Sequence, residues 1–169
     1  MKKKMLSCLA IGSMALIAVG CGSDQLREKK VYGEGYELLR CDISQEKTED
    51  LQTSYLQIVR DINKGKIVET SVNLEFDYTE TLKNDTSGVG KKTMHSGLNL
   101  MCDAFEKEGY MDCYYSADGY VYTISMGMKL EDLAEGTIKT DATLDVIKSG
   151  LEAQNEMEVK NCVIEKGTN

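Results

Sequence analysis

The cysteines are the residues of this chain best suited to chemistry. Four of them lie well inside the sequence, at Cys41, Cys102, Cys113 and Cys162. No two are separated by only two residues, so the spacing of a C-x-x-C redox site or a zinc knuckle is missing. The elements predicted below place Cys102 on a helix and Cys113 on the strand that returns from it, and they place Cys41 and Cys162 in the first and last strands. This arrangement favours two disulfides, Cys102–Cys113 and Cys41–Cys162, and leaves four buried reduced thiols as the alternative.

Tyrosines gather on one predicted hairpin and could form a binding face. Tyr114 and Tyr115 are neighbours on its first strand, and Tyr120 lies just beyond its turn. Because successive residues of a strand point to opposite faces, we expect Tyr114 or Tyr115 to face solvent. Exposed tyrosines are common where a protein binds a peptide or a glycan. The alternative is ordinary packing between neighbouring strands.

The remaining reactive residue types form no recognisable catalytic group. His95 is the single histidine, and we expect it in the first turn of a helix, in contact with solvent. One histidine gives little basis for a general base or a multi-histidine metal site. Ser44 and Lys47 match S-x-x-K, but they lie in a polar loop and the companion motifs of penicillin-recognising enzymes are missing. The motifs of nucleotide-binding proteins and metalloproteases are missing too. We therefore predict no catalytic residue, no metal site and no cofactor.

The first 21 residues predict export and a lipid anchor. Three lysines are followed by an apolar run over residues 5–19, then by Gly20 and Cys21. The run is too short to span a bilayer, and the order of parts is that of a signal peptide. Residues 17–22 resemble the lipobox of bacterial lipoproteins, with Ala18 where leucine is commoner. The resemblance implies that Cys21 is lipidated and holds the protein at a bacterial cell membrane, with the domain outside the cytoplasm. Ordinary cleavage to a soluble secreted protein is the alternative.

Composition limits the size of the domain and its class of partner. The 169-residue chain has a net charge of −8, and removal of the signal takes away three lysines, which leaves −11. A charge of this sign argues against binding nucleic acid. The mature length suits one domain with a sizeable core. We expect a signal peptide at 1–20, a lipidated flexible tether at 21–31, a single domain at 32–166 and a short tail at 167–169.

Hydrophobic periodicity predicts an α+β domain, with an antiparallel β-sheet built from hairpins and two helices packed on one face. The clearest strand covers residues 68–78, where Val68, Thr70 and the alternate residues that follow face inward while the polar side chains between them face solvent. Residues 55–62 fit a strand or a helix, and the Asn63–Gly65 turn favours the strand. The other predicted elements are a strand at 38–43, loops at 44–53 and 82–92, a hairpin at 110–128, a turn at 130–133 and a closing strand at 157–165 marked by Met157, Val159 and Val163. Two helices are predicted by apolar residues at spacings of three and four, one at 94–109 (Met94, Leu98, Met101, Cys102 and Phe105) and one at 144–151 (Leu144, Ile147 and Leu151).

This layout resembles that of the small YehR-like lipoproteins. The resemblance is carried by the lipobox through Cys21, the hairpin with Lys64–Lys66 at its turn, the strand at 122–126 that leads into Leu130–Leu133, and the final helix and strand. It implies the fold class and the location, and it supplies no catalytic residue. We predict a non-catalytic envelope lipoprotein that binds or modulates a protein or peptide partner. A thiol-dependent or hydrolytic envelope enzyme that uses Cys102 or Cys113 is one alternative, and a lipoprotein that binds a small ligand is another.

Overall fold

The computed structural model of the protein describes residues 31–43, 50–129, 139–154 and 159–168. The signal peptide, Cys21, residues 22–30 of the tether and the turn expected at Leu130–Leu133 lie outside these residues. Six strands and three helices are described, in this order: β1 (Tyr36–Ile43), β2 (Leu51–Asp61), β3 (Lys66–Asp77), α1 (Thr79–Leu82), α2 (Val89–Lys107), β4 (Met111–Asp118), β5 (Val121–Gly127), α3 (Leu144–Gln154) and β6 (Val159–Lys166).

The strands form one antiparallel sheet in the order β4-β5-β3-β2-β1-β6. The α+β class predicted from the sequence is confirmed. Because β6 pairs with β1, the last strand closes the sheet beside the first. Each end of the described domain therefore lies at the same side of the sheet. Gly167 continues this contact, since its N–H donates to the carbonyl oxygen of Tyr36 at 2.9 Å.

The long hairpin of β2 and β3 forms the centre of the sheet. Residues 55–62 were ambiguous between helix and strand, and the strand is confirmed by pairing from Ser54↔Leu74 to Asp61↔Lys66. The turn is stabilised by Gly65, whose φ is +64°. The loop predicted at 44–53 is wrong at its end, because Leu51 and Thr53 already pair with β3.

The helix α2 packs on β4 and β5, and α3 packs on β1 and β6. The apolar stripe of α2 enters the hydrophobic core through Met94, Leu98, Cys102 and Phe105, and α3 contributes Leu144, Ile147 and Leu151. These are the side chains that the spacing of three and four residues predicted. Burial of both stripes supplies most of the stability of such helices.

The loop predicted at 82–92 is shorter in the structure. It covers only residues 83–88, because α1 ends at Leu82 and α2 begins at Val89. The carboxylate of Asp85 accepts the backbone N–H of Lys91 at 3.2 Å, and Gly88 takes a φ of +70° just before the helix. These contacts satisfy backbone donors of the first turn and start α2 early.

Both edge strands contain a bulge immediately before a cysteine. Asp112 precedes Cys113 in β4 with a φ of +47°, and Asn161 precedes Cys162 in β6 with a φ of +51°. The pairing register shifts at the same two places. An extra residue redirects the side chains that follow it. In both strands the cysteine is turned into the hydrophobic core.

Val68, which the sequence predicted to face inward, is exposed, and so is Val163 in the closing strand. Val68 is 46% exposed and Val163 is 51% exposed. Val68 lies beside a register shift in the β2–β3 pairing, and Val163 follows the bulge at Asn161. Strict alternation fails at such places, because one extra residue moves its neighbours to the other face of the sheet.

Candidate functional site

The four cysteines of the domain form two disulfides. Cys41 is bonded to Cys162 across 121 residues of sequence, and Cys102 is bonded to Cys113 across 11. The pairs are those favoured by the sequence, and the alternative of four reduced thiols is wrong. All four side chains are buried, with Cys102 fully so and Cys113 only 4% exposed. A nucleophilic cysteine must be an accessible thiolate. Cys102 and Cys113, the two cysteines considered for that role, are instead bonded to each other and buried.

The disulfides indicate an oxidising, exported environment, because such bonds persist outside the cytosol. Among the described residues, no helix is both long and apolar enough to cross a membrane. In the same residues, no three histidine, cysteine, aspartate or glutamate side chains converge as metal ligands. Cys21 itself lies outside the described part of the chain.

A connected row of polar side chains runs across one face of the sheet. We call the face that carries Gln57, Ser71, Asn73, Tyr114 and Ser125 the polar face. Ser71, Asn73 and Ser125 are fully buried. The hydroxyl of Ser125 donates to Asn73 Oδ1 at 2.5 Å, and Asn73 Nδ2 donates to Ser71 Oγ at 3.2 Å. The sequence predicted solvent contact for the polar side of β3, and that prediction is wrong at Ser71 and Asn73. Polar groups that are buried in this way require such partners.

The row ends at Glu69, whose carboxylate binds two tyrosines. Tyr114 donates its hydroxyl to Glu69 Oε1 at 2.7 Å, and Tyr32 donates to Oε2. Burial, followed by the hydrogen bond and the negative charge of Glu69, raises the pKa of both phenols far above the ordinary value of 10. Both therefore remain protonated donors at neutral pH. The contact also joins the segment before β1 to β3 and β4.

A second group of rings lies where β3 ends and β5 begins. We call Tyr78, His95, Tyr115, Tyr120 and Tyr122 the aromatic end. The ring of His95 lies 5.8 Å from that of Tyr122 and 5.9 Å from that of Tyr115, measured between centroids. Tyr78 meets Tyr122 edge to face at 5.9 Å, and Lys91 Nζ lies 4.9 Å from the centre of the Tyr120 ring. Such contacts hold the rings in fixed orientations.

His95 differs from its predicted position. It lies in the second turn of α2, which begins at Val89, and it is half-buried. Its Nε2 is 3.5 Å from the hydroxyl oxygen of Tyr122. The early start of α2 explains the difference, because it moves position 95 from the first turn onto the side that meets β5. Burial also raises the pKa of Tyr122, and it raises that of Tyr78 to about 12 with a smaller contribution from Asp50.

The three tyrosines proposed from the sequence separate in the structure. Tyr114 belongs to the polar face and Tyr115 to the aromatic end, as alternation requires, but both are buried, with exposures of 7% and 1%. The expectation that one of them contacts solvent is wrong, because both faces of the sheet are buried at this strand. Tyr120 is half-exposed. Of the three, it alone offers accessible ring surface.

Sequence reasoning missed Tyr78, Glu69 and the contact of His95. Tyr78 was assigned to the inward side of β3, which gave no reason to group it with Tyr120. Glu69 was assigned to solvent by alternation. No pattern in the sequence links Tyr32 to Glu69, since the contact spans 37 residues.

Comparison with known proteins does not place the chain in a family. No family model, no curated protein and no solved structure matches it.

Proposed function

We propose that the protein is an exported lipoprotein, held at a bacterial membrane by lipidated Cys21, whose domain binds a protein or peptide partner and does not catalyse a reaction. The observation that carries this proposal is the pairing of all four domain cysteines in two buried disulfides. It leaves none of these four cysteines as a free thiol for a thiol-dependent enzyme, and it suits the environment outside the cytoplasm. The likeness to YehR-like lipoproteins is part of the same proposal.

The proposed partner contact is the aromatic end. Tyr120 and Tyr78 are half-exposed rings that lie on buried neighbours, and Lys91 adds an exposed cation beside Tyr120. Rigid tyrosines supply a large contact area at little entropic cost and are enriched at the centres of protein interfaces. Burial raises the pKa of Tyr78, whose hydroxyl would serve as a hydrogen-bond donor to the partner.

We further propose that α2 and α3 pack on the same face of the sheet, opposite the polar face. In support, Cys102 of α2 is bonded to Cys113, and Ile147 of α3 belongs to the same hydrophobic core as Leu39 and Ile58. Tyr114 and the other polar-face residues do not belong to that core. With this arrangement, the aromatic end lies at the rim between the helices and the sheet.

The test is site-specific photo-crosslinking in the native membrane. A photoreactive amino acid replaces Tyr120 in one variant and Val146, which is 65% exposed on α3, in the control. The proposal expects a discrete cross-linked product from position 120 and none from position 146, and it expects Tyr78→Ala to weaken that product. Equal cross-linking from the two positions, or none from either, would contradict it.

A further inference from the structure

Three exposed apolar side chains lie at one end of the sheet, where the described chain begins. They are Val31, Ile62 and Val68, with exposures of 85%, 40% and 46%. The hydroxyl of Tyr32 donates to the carboxylate of Glu69, so Val31 and Val68 each adjoin one partner of that contact. The N–H of Ile62 donates to the carbonyl oxygen of Gly35 at 3.0 Å. Backbone and side-chain contacts therefore bring the three residues to the same end of the domain.

We call residues 31–37, 60–69 and 165–168 the tether end. The turn between β2 and β3 lies here, beside the start of β1 and the end of β6. Glu37, for example, pairs with Lys166. The aromatic end lies at the other end of the same strands, because Tyr78 follows the last residue of β3. Ten residues of strand at about 3.3 Å each separate Val68 from Tyr78, a distance of about 33 Å.

The tether end is nearly neutral in an acidic protein. Its residues carry four positive and five negative side chains, a net charge of −1, whereas the mature chain carries −11. Two of the negative charges are paired, since Arg60 Nη1 lies 3.3 Å from Glu37 Oε2 and Lys64 Nζ lies 3.2 Å from Asp61 Oδ2. An anionic lipid surface therefore repels the tether end less than it repels the rest of the domain.

The length of chain between Cys21 and the domain keeps the tether end close to the anchor. Val31 is ten residues beyond Cys21, a span of at most about 36 Å when the chain is fully extended. A linker this short gives the tether end a high effective concentration beside the bilayer. A contact of three apolar side chains can then persist although it would be too weak to bind a free domain.

We propose that the tether end rests on the bilayer that holds Cys21, with Val31, Ile62 and Val68 inserted at the level of the lipid headgroups. This inference rests on the proposed lipidation of Cys21. The side chains gain free energy by leaving water, and interfacial apolar residues of peripheral proteins are held in the same way. The aromatic end then points away from the membrane, toward the partner proposed above.

The experiment measures the depth of a nitroxide label on the lipidated protein in vesicles of phosphatidylethanolamine and phosphatidylglycerol. The four domain cysteines are paired and Cys21 carries the lipid, so a cysteine introduced into this protein is its single free thiol. Ile62→Cys and Val68→Cys place the label at the tether end. Val89→Cys is the control, because Val89 is 63% exposed at the start of α2, two residues before the lysine that contacts Tyr120.

Collisions of the label with two relaxation reagents report its depth, since oxygen dissolves in lipid and a nickel chelate stays in water. We expect the ratio of oxygen to nickel collisions to be higher at positions 62 and 68 than at position 89. In the Ile62→Cys protein, Val68→Asp should lower the ratio to the value at position 89, because a carboxylate is costly to remove from water. Val89→Asp, the matched control, should leave the ratio unchanged.

Three results would overturn the proposal. They are an equal ratio at the three positions, a higher ratio at position 89, and shielding of positions 62 and 68 from both reagents, which indicates a contact with a second copy. The intact mass of the same sample separates this inference from the proposed function. A lipidated Cys21 with labels exposed to water refutes the membrane contact alone, whereas a mature chain without lipid refutes both.

Discussion

The two disulfides should contribute unequally to stability. In the chain-entropy treatment the contribution grows as 1.5RT times the logarithm of the loop length. The sequence separations are 121 and 11 residues, so the long bridge should contribute about 2 kcal/mol more than the short one. The same treatment gives totals of about 5 and about 3 kcal/mol.

The comparison uses Cys41→Ala/Cys162→Ala against Cys102→Ala/Cys113→Ala. The two pairs are well matched, because each consists of one fully buried cysteine and one that is 4% to 6% exposed. The destabilisation caused by removing the buried sulfur atoms should therefore be similar in the two double mutants. The difference between their free energies of unfolding then reflects the difference in loop length. Urea unfolding with linear extrapolation measures both free energies of unfolding. An equal loss of unfolding free energy in the two double mutants, or a larger loss on removal of the short bridge, would refute the reasoning.

Four more outcomes follow from the surroundings of particular residues. Gly127→Ala should destabilise the domain by about 1–3 kcal/mol through overpacking, because the new Cβ would lie 2.2 Å from the Met111 carbonyl oxygen. Gly150→Ala, a helical position with open space around it, should instead stabilise by about 0.5–1 kcal/mol in thermal unfolding. The raised pKa of Tyr114 favours the protonated phenol in the folded state, so its contribution is complete below about pH 10 and is lost as the pH rises further. Urea midpoints between pH 8 and 11 should fall less steeply for Tyr114→Phe than for the control Tyr120→Phe, and identical slopes would argue against the contact with Glu69. The Ser87 hydroxyl and backbone N–H groups hold the pKa of Asp85 below its usual 3.8. Asp85→Asn should therefore destabilise the domain at neutral pH. The difference in stability from the wild type should disappear as the pH falls below about 4, because the carboxylate of the wild type is then protonated. A difference that persists at pH 2 would contradict the capping role of Asp85.

The sequence correctly predicted the elements whose buried residues recur at a regular spacing. The stripe of α2 and the inward side of β3 from Thr70 to Phe76 were found because each repeats the spacing of its element over several turns or residue pairs. The disulfides followed from the same elements, since a helix and its returning strand, or the first and last strands, bring the cysteines together. These inferences need only local patterns and the rule that neighbouring elements pack.

The sequence was insufficient where one residue breaks the period or where contacts are distant. The bulges at Asp112 and Asn161 reverse the facing of their neighbours. Aspartate and asparagine tolerate a positive φ better than most residues, but neither requires it, so the residue types alone do not locate the bulges. The second buried face was also missed, because Ser71 and Asn73 look like solvent-facing residues until Ser125 is placed beside them. For the same reason Tyr114 was expected to be a possible surface ring.

The central claim is that an exported domain closed by two disulfides is anchored through Cys21. The most direct measurement is the intact mass of the protein isolated from the membrane of its own cell, after alkylation in denaturant without reduction. We expect a chain that begins at Cys21, carries a diacylglyceryl group and takes up no alkyl group on its four domain cysteines, together with four alkyl groups after reduction. A chain that still contains residues 1–20, or one that takes up four alkyl groups before reduction, would contradict the claim.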